Sequence, residues 1–190
     1  MIKFILHGGA TRRDSELNRT FFEELVRNVP DGGQVLLVFF ASKQEDNTDS
    51  FNELKEKTEN AAPEKQLRVI MATQENFLDE LKDSDAVYMH GGSTTKLLGV
   101  LREFPPLEPL MEGKTIAGSS AGAYAIAAYG ASHSEDAMRE GLALAPLRVV
   151  CHYESPDLPP MPTALAAVEG SHQELELVYL HDCEWKVFNF

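Results

Sequence analysis

The sequence predicts an α/β protein. It has three layers, with a mostly parallel central sheet, helices on both faces of that sheet, and a C-terminal β-hairpin. Three observations carry this reading. Short apolar runs alternate with amphipathic stretches, the pattern of parallel strands joined by right-handed crossovers. The runs are continuously apolar, as strands buried on both faces are. Three of them end in small-residue turns, His7-Gly8-Gly9, His90-Gly91-Gly92 and Gly118-Ser119-Ser120, and in open parallel sheets ligands sit beyond the carboxyl ends of strands.

In order, Ile2–Leu6 reads as a buried strand. Glu16–Val29 reads as a helix, with Leu17, Phe21, Leu25 and Val29 at i, i+4 spacing, ended by Pro30-Asp31-Gly32-Gly33. Val35–Phe40 is the second strand and Asp49–Ala61 a polar helix. Leu67–Met71 is the third strand, followed by a short helix marked by Phe77, Leu78 and Leu81. Ala86–Met89 is the fourth strand, Thr95–Arg102 a helix closed by Pro105-Pro106, and Thr115–Ala117 a very short fifth strand. Ala121–Ala131 reads as an Ala-rich helix. Arg148–Cys151 is a further strand, and the four prolines between Ser155 and Pro162 mark a loop. Leu175–Leu180 and Trp185–Phe188 flank His181-Asp182-Cys183-Glu184 as the expected hairpin.

The chain of 190 residues suits one domain, 1–190. A hydrophobic share of 43% against 25% charged excludes a disordered chain. The net charge of −13 and the isoelectric point near 4.8 argue against nucleic acid or an anionic membrane as partner. Cys151 and Cys183 form neither a disulfide framework nor a C-x-x-C pair, so no metal site is expected. The apolar run at the N-terminus is too short for a signal peptide, and Val35–Ala41 is too short to span a bilayer, which predicts a cytoplasmic location.

Gly118-Ser119-Ser120-Ala121-Gly122 matches G-x-S-x-G between a short strand and a helix, the setting in which the motif carries a nucleophile. A sharp strand-to-helix turn strains the central residue, small flanking residues avoid clashes, and the hydroxyl of Ser120 projects alone. The N–H of Ala121 can then donate to an oxyanion. Among six histidines, His7 and His90 end strands at the same sheet edge and could line the site. His133 follows the Ala-rich helix as a C-terminal cation, and His172 and His181 read as surface. His152, at a strand exit downstream of Ser120, is well placed as the base. Glu154 falls on the same side as His152 if the chain stays extended. Glu135 and Asp136, on the loop after the Ala-rich helix, are the rival acids.

These residues resemble a known group. Gly91-Gly92-Ser93-Thr94-Thr95-Lys96-Leu97-Leu98 is similar to its G-G-N-T-x-x-L-L signature. Gly118-Ser119-Ser120-Ala121-Gly122-Ala123 resembles its nucleophile turn. Gly141-Leu142-Ala143-Leu144, followed by Cys151-His152-Tyr153, is similar to its G-L-G-L … P-H-[FY] segment. The group is the dipeptidase E (aspartyl dipeptidase) and cyanophycinase-like family of serine peptidases, whose fold is like that of class I glutamine amidotransferases. The resemblance implies Ser120 as nucleophile, His152 as base, and an oxyanion hole from the N–H groups of Ala121 and the Gly91-Gly92 turn. For the third member, dipeptidase E implies an acid near Glu135, and the amidotransferases' His-x-Glu spacing implies Glu154. The slight preference is Glu154, two residues from the base.

Two departures stand out. Ser93 replaces the family's Asn. The family's aspartyl dipeptidases place an Arg after the histidine to hold the substrate's acidic side chain, whereas seven acids and a single base, Lys186, lie between Tyr153 and Phe190. A buried substrate carboxylate needs a cation, so aspartyl specificity is not expected unless Arg12, Arg13 or Arg148 substitutes. The expected protein is a serine peptidase for short peptides, a monomer or homodimer with no cofactor and no metal. The competing readings are a catalytically silent binding module on the same fold and an α/β-hydrolase-type esterase, in which Glu135 would precede His152.

Overall fold

The computed structural model describes residues 1–42, 47–133 and 135–190. Its main sheet contains β1 (Lys3–His7), β2 (Gln34–Val38), β3 (Arg68–Met71), β4 (Ala86–Met89), β5 (Thr115–Ser119) and β10 (Trp185–Asn189), in the order β10-β1-β5-β4-β2-β3. All neighbours are parallel except β10, which runs antiparallel to β1 with Lys3 opposite Asn189. A second sheet has the order β7-β6-β8-β9, from β6 (Ala127–Ser132), β7 (Ala137–Glu140), β8 (Ala145–Val150) and β9 (Glu176–Tyr179).

Helices cover both faces of the main sheet. On one side α1 (Glu16–Val26) and α2 (Thr48–Asn60) bury Phe21, Phe22, Leu25, Val26 and Leu54 against Val35, Leu37 and Tyr88. Each such side chain contributes about 1.5–3 kcal/mol on burial, enough to hold helices too short to persist alone. Ser15 caps α1 by accepting from the Asn18 N–H at 3.1 Å. The buried stripe of α1 is shifted from the expected one. Leu17 is half exposed, and Val29 is buried beyond the helix end.

The opposite face carries α3 (Phe77–Asp83), α4 (Thr94–Leu101), α5 (Glu108–Met111) and α6 (Ala121–Ile126). There Leu36, Val38 and Met89 share a core with Leu147, Val149 and Leu180 of the second sheet side. The helix α7 (Pro162–Gly170) packs Ala164 and Val168 on Ala131 and Val150.

Two expectations are corrected. The Ala-rich stretch is helical only to Ile126, and Ala127–Ser132 is strand β6. Helix propensity loses here to pairing on both sides, with β7 and β8. The strands flanking 181–184 are present, but they do not pair with each other. β9 lies parallel to β8, while β10 closes the main sheet beside β1. The segment between them is therefore a bridge from one sheet to the other. Its Cys183 N–H donates to Gly9 O at 2.9 Å, and the Gly8 N–H donates to Glu184 O at 2.8 Å.

Candidate active site

Ser120 stands at the step from β5 to α6 with φ 50° and ψ −105°. This backbone is strained for a residue with a side chain. Its N–H donates to His7 O at 3.0 Å, and its carbonyl accepts from the Tyr124 N–H at 2.9 Å, so the turn is held from both sides. The flanking glycines are needed because the backbone doubles back: a Cβ on Gly118 would lie 2.3 Å from the Gly122 carbonyl carbon.

His152 follows β8 in a left-handed turn, φ 53°. Its N–H donates to Gly8 O at 2.9 Å, and its ring lies flat against Gly9. A Cβ on Gly9 (φ 118°) would come within 2.0 Å of His152 Cε1, so only glycine fits there. The imidazole Nε2 is 3.1 Å from Ser120 Oγ, and Nδ1 is 2.6 Å from Asp182 Oδ1. The carboxylate accepts the Nδ1–H, leaving the Nε2 lone pair toward the serine hydroxyl. Burial lowers the proton affinity of His152 below the usual imidazole value. The hydrogen bond and charge of Asp182 oppose this, while His133 and Arg13 add to it.

Asp182 lies in the bridge between β9 and β10. Its second oxygen accepts from Ser155 Oγ at 2.8 Å and pairs with Arg13 Nη1 at 3.2 Å. Burial works to raise its proton affinity. The hydrogen bonds from Ser155 and His152 and the charges of His152 and Arg13 outweigh burial and hold the carboxyl below the usual range.

The structure does not bring the two expected acids to the imidazole. Tyr153 is flanked by left-handed residues, so the chain is turned rather than extended, and Glu154 is exposed, 3.5 Å from His181 Nε2. Glu135 pairs with Arg139 and accepts from Thr95 Oγ1 at 3.1 Å. Asp136 accepts from the Ala164 N–H at 2.9 Å, tying down α7. The carboxylate that does touch the ring, Asp182, falls in 181–184, which reads from sequence as a hairpin loop. The available signal was its position after a strand, which applies once β9 is placed parallel to β8.

His7 is buried as a structural group. Its Nδ1 accepts from the Gly9 N–H at 3.0 Å, so its Nε2–H donates to Asn18 Oδ1 at 2.9 Å. Burial pulls its pKa down to about 4. The same effect lowers His90, which packs near Phe39 with ring centroids 5.4 Å apart. His133 is no mere cation at a helix end. Its ring nitrogens face Pro159 O at 3.0 Å and Cys151 O at 3.2 Å, binding the proline loop to the end of β8. Burial pushes the Cys151 thiol far above its usual range, so it is no rival nucleophile.

A cavity of about 330 Å³ opens over Ser120 and His152, walled by Gly92, Thr94, Tyr124, Ser132, His133, Leu158 and Pro159. Gly91 backs onto the nucleophile, since a Cβ there would lie 3.4 Å from Ser120 Cβ. Ala121 opens α6, where the first N–H groups have no partner within the helix. Among the described residues no Lys or Arg lines this cavity. The three arginines considered as substitutes are engaged: Arg12 with Glu53, Arg13 with Asp157 and Asp182, and Arg148 with backbone carbonyls near α7. A further cleft of about 390 Å³ lies between α1 and α2, with Arg13 in its wall. Neither Ser120 nor His152 lines it.

The family model of peptidase family S51 matches residues 4–188. No curated protein matches the chain. Among solved structures, a peptidase from an acI-B1 Actinobacterium superposes with TM-score 0.68 at 19% identity, covering 100% of this chain and 84% of its own. A Listeria monocytogenes EGD-e protein assigned to peptidase E gives TM-score 0.69 at 19% identity, covering 99% of this chain and 97% of its own. At that identity these two matches establish the fold.

Proposed function

The chain belongs to peptidase family S51 and is a serine peptidase of the dipeptidase E type; on that premise we propose that Ser120, His152 and Asp182 are its triad and that it hydrolyses short peptides without a preference for N-terminal aspartate. One observation carries the triad: the His152 ring spans Ser120 Oγ at 3.1 Å and Asp182 Oδ1 at 2.6 Å. Nucleophile, base and orienting acid then stand in the order the chemistry requires.

In this reading Ser120 Oγ attacks the amide carbonyl as His152 Nε2 takes its proton. Asp182 stabilises the imidazolium that forms. The N–H of Ala121, with the Gly91-Gly92 turn, receives the negative charge on the carbonyl oxygen, and one such donor is worth roughly 10²–10³ in rate. Collapse of the intermediate passes the proton to the departing amine and leaves an acyl-serine. Water, activated by the same imidazole, releases the acyl group.

The cavity wall supports the view of specificity. With no Lys or Arg lining the cavity among the described residues, and with Arg12, Arg13 and Arg148 held elsewhere, an acidic substrate side chain would be buried unpaired. Neutral side chains fit the apolar wall of Tyr124, Leu158 and Pro159. A silent binding module would be favoured by a serine and histidine far apart, and the 3.1 Å contact counts against it. The esterase reading relied on Glu135, which lies against Arg139 instead.

Fluorophosphonate labelling with peptide mapping, run beside a dipeptide panel varied at the first residue, tests the proposal. The expected result is a label on Ser120, lost in Ser120→Ala together with hydrolysis, and turnover of neutral dipeptides at least as fast as of Asp-led ones. An unlabelled Ser120 with hydrolysis unchanged in Ser120→Ala overturns the triad, and a strong Asp preference overturns the specificity.

A further inference from the structure

An aspartate on a turn between two sheets is a poorly supported acid. Its carboxylate rotates about a broad, two-fold torsion, and neither β9 nor β10 contains it. Something must decide which oxygen faces His152. Two groups do so from the far side: Ser155 Oγ donates at 2.8 Å and Arg13 Nη1 forms an ion pair at 3.2 Å, both on Oδ2, leaving Oδ1 for the imidazole at 2.6 Å.

Arg13 has a second engagement. Its other arm, Nη2, binds Asp157 Oδ2, in the first turn of the proline loop that brings Leu158 and Pro159 into the cavity wall. The loop's start is folded back in the same place. The Asp157 N–H donates to Ser155 Oγ at 3.3 Å, and the Ser155 N–H to His152 O at 3.0 Å. A planar guanidinium can face two carboxylates with separate arms, whereas an ammonium is a point charge.

The backbone of Arg13 is itself anchored. Its N–H donates to Ala10 O at 3.0 Å, and its carbonyl accepts from Asn18 Nδ2 at 2.8 Å, while Asn18 Oδ1 accepts from His7. The support therefore runs from the buried end of β1, through Asn18, to the guanidinium. The side chain is half exposed, so its charge is partly screened and acts mainly through its short pairings with Asp182 and Asp157.

We infer that Arg13 is a positioning residue: one arm of its guanidinium fixes Asp182 with Oδ1 toward His152, and the other fixes the loop that walls the cavity. The inference rests on Asp182 being the triad acid. It assigns Arg13 a role in turnover and withdraws it from binding an acidic substrate.

A double-mutant cycle on kcat separates the two claims. Arg13→Met in the native background is expected to lower kcat on the order of tenfold and to raise KM. In an Asp182→Asn background the same change should lower kcat far less, because the route through the carboxylate is gone. The acid limb of kcat/KM should move to higher pH in Arg13→Met, since a cation that lowers the proton affinity of His152 is removed. Arg13→Lys should return that limb toward its native position and recover kcat only in part. Far-UV circular dichroism monitors folding of each variant. Native kcat and KM in Arg13→Met overturn the inference, as does an equal loss in both backgrounds, which marks a general structural effect. If Asp182→Asn itself keeps native kcat, it is the triad reading that fails.

Discussion

Asp182 Oδ1 lies 2.6 Å from His152 Nδ1, although the two residues stand on different sides of α7 and β9 in the chain. This contact links the end of the second sheet to the turn that leads into the main sheet. It also distinguishes four candidate carboxylates, Glu135, Asp136, Glu154 and Asp182, of which Asp182 alone touches the imidazole among the described residues.

Asp182→Asn should lower kcat on a dipeptide by roughly 10³–10⁴, because the amide no longer holds the imidazole in the useful tautomer. Glu154→Gln and Glu135→Gln should stay within about twofold of native, as exposed or remotely paired side chains do. Steady-state kinetics on the three variants decides it. A loss in Glu154→Gln as large as that in Asp182→Asn would remove Asp182 from its role.

With His152 as the base, the ring must be neutral to work, so kcat/KM should fall as pH drops through its pKa. That midpoint should lie below 6.5, because burial disfavours the imidazolium. Losing the carboxylate charge in Asp182→Asn removes a stabiliser of the protonated ring and should move the midpoint lower still. A pH–rate profile with a native midpoint above 6.5 would contradict the burial argument.

Gly9→Ala places a methyl where the His152 ring sits, 2.0 Å from Cε1, at a φ of 118°. The ring must move, and a displacement of about 1 Å costs on the order of 10² in rate. The expected outcome is a loss of kcat of that size, with fluorophosphonate labelling of Ser120 slowed to match. Native kcat in Gly9→Ala would show that the ring has room the structure does not give it.

His7 should make the protein acid-labile. Its pKa is near 6.5 unfolded and about 4 folded, so the unfolded chain binds the extra proton between those values. Stability is then full above pH 6.5 and lost as pH falls toward 4, by about 3 kcal/mol in all. Burial acts in the same direction on His90 and His152. Urea unfolding at pH 7 and pH 5 should show about 2 kcal/mol of this loss in the native protein and a smaller one in His7→Gln. Equal slopes would exclude His7 as a source.

What the sequence disclosed followed the range of each signal. The step at Ser120 was legible because a strand, a tight small-residue turn and a helix start lie within a few residues of each other. His152 was legible as a strand exit. Asp182 was not, since a strand's neighbours cannot be read from its own residues. The runs 175–180 and 185–188 look the same whether they pair with each other or with β8 and β1. Glu154 is hidden for a related reason: alternation places it beside His152 only along an extended chain, and left-handed turns reverse the chain there. The stretch 121–131 misled because alanine favours helix locally, whereas β7 and β8 supply pairing partners that local composition does not reveal.

The antiparallel closure of β10 on β1 has a consequence for timing. In chain order Ser120 comes first, then His152, then the turn carrying Asp182, which is held in place where β10 pairs with β1. A nascent chain thus holds the hydroxyl and the imidazole before it holds the carboxylate. With Asp182 as the acid, full hydrolytic competence depends on the pairing of β10 with β1, so completing the triad and completing the main sheet are one event.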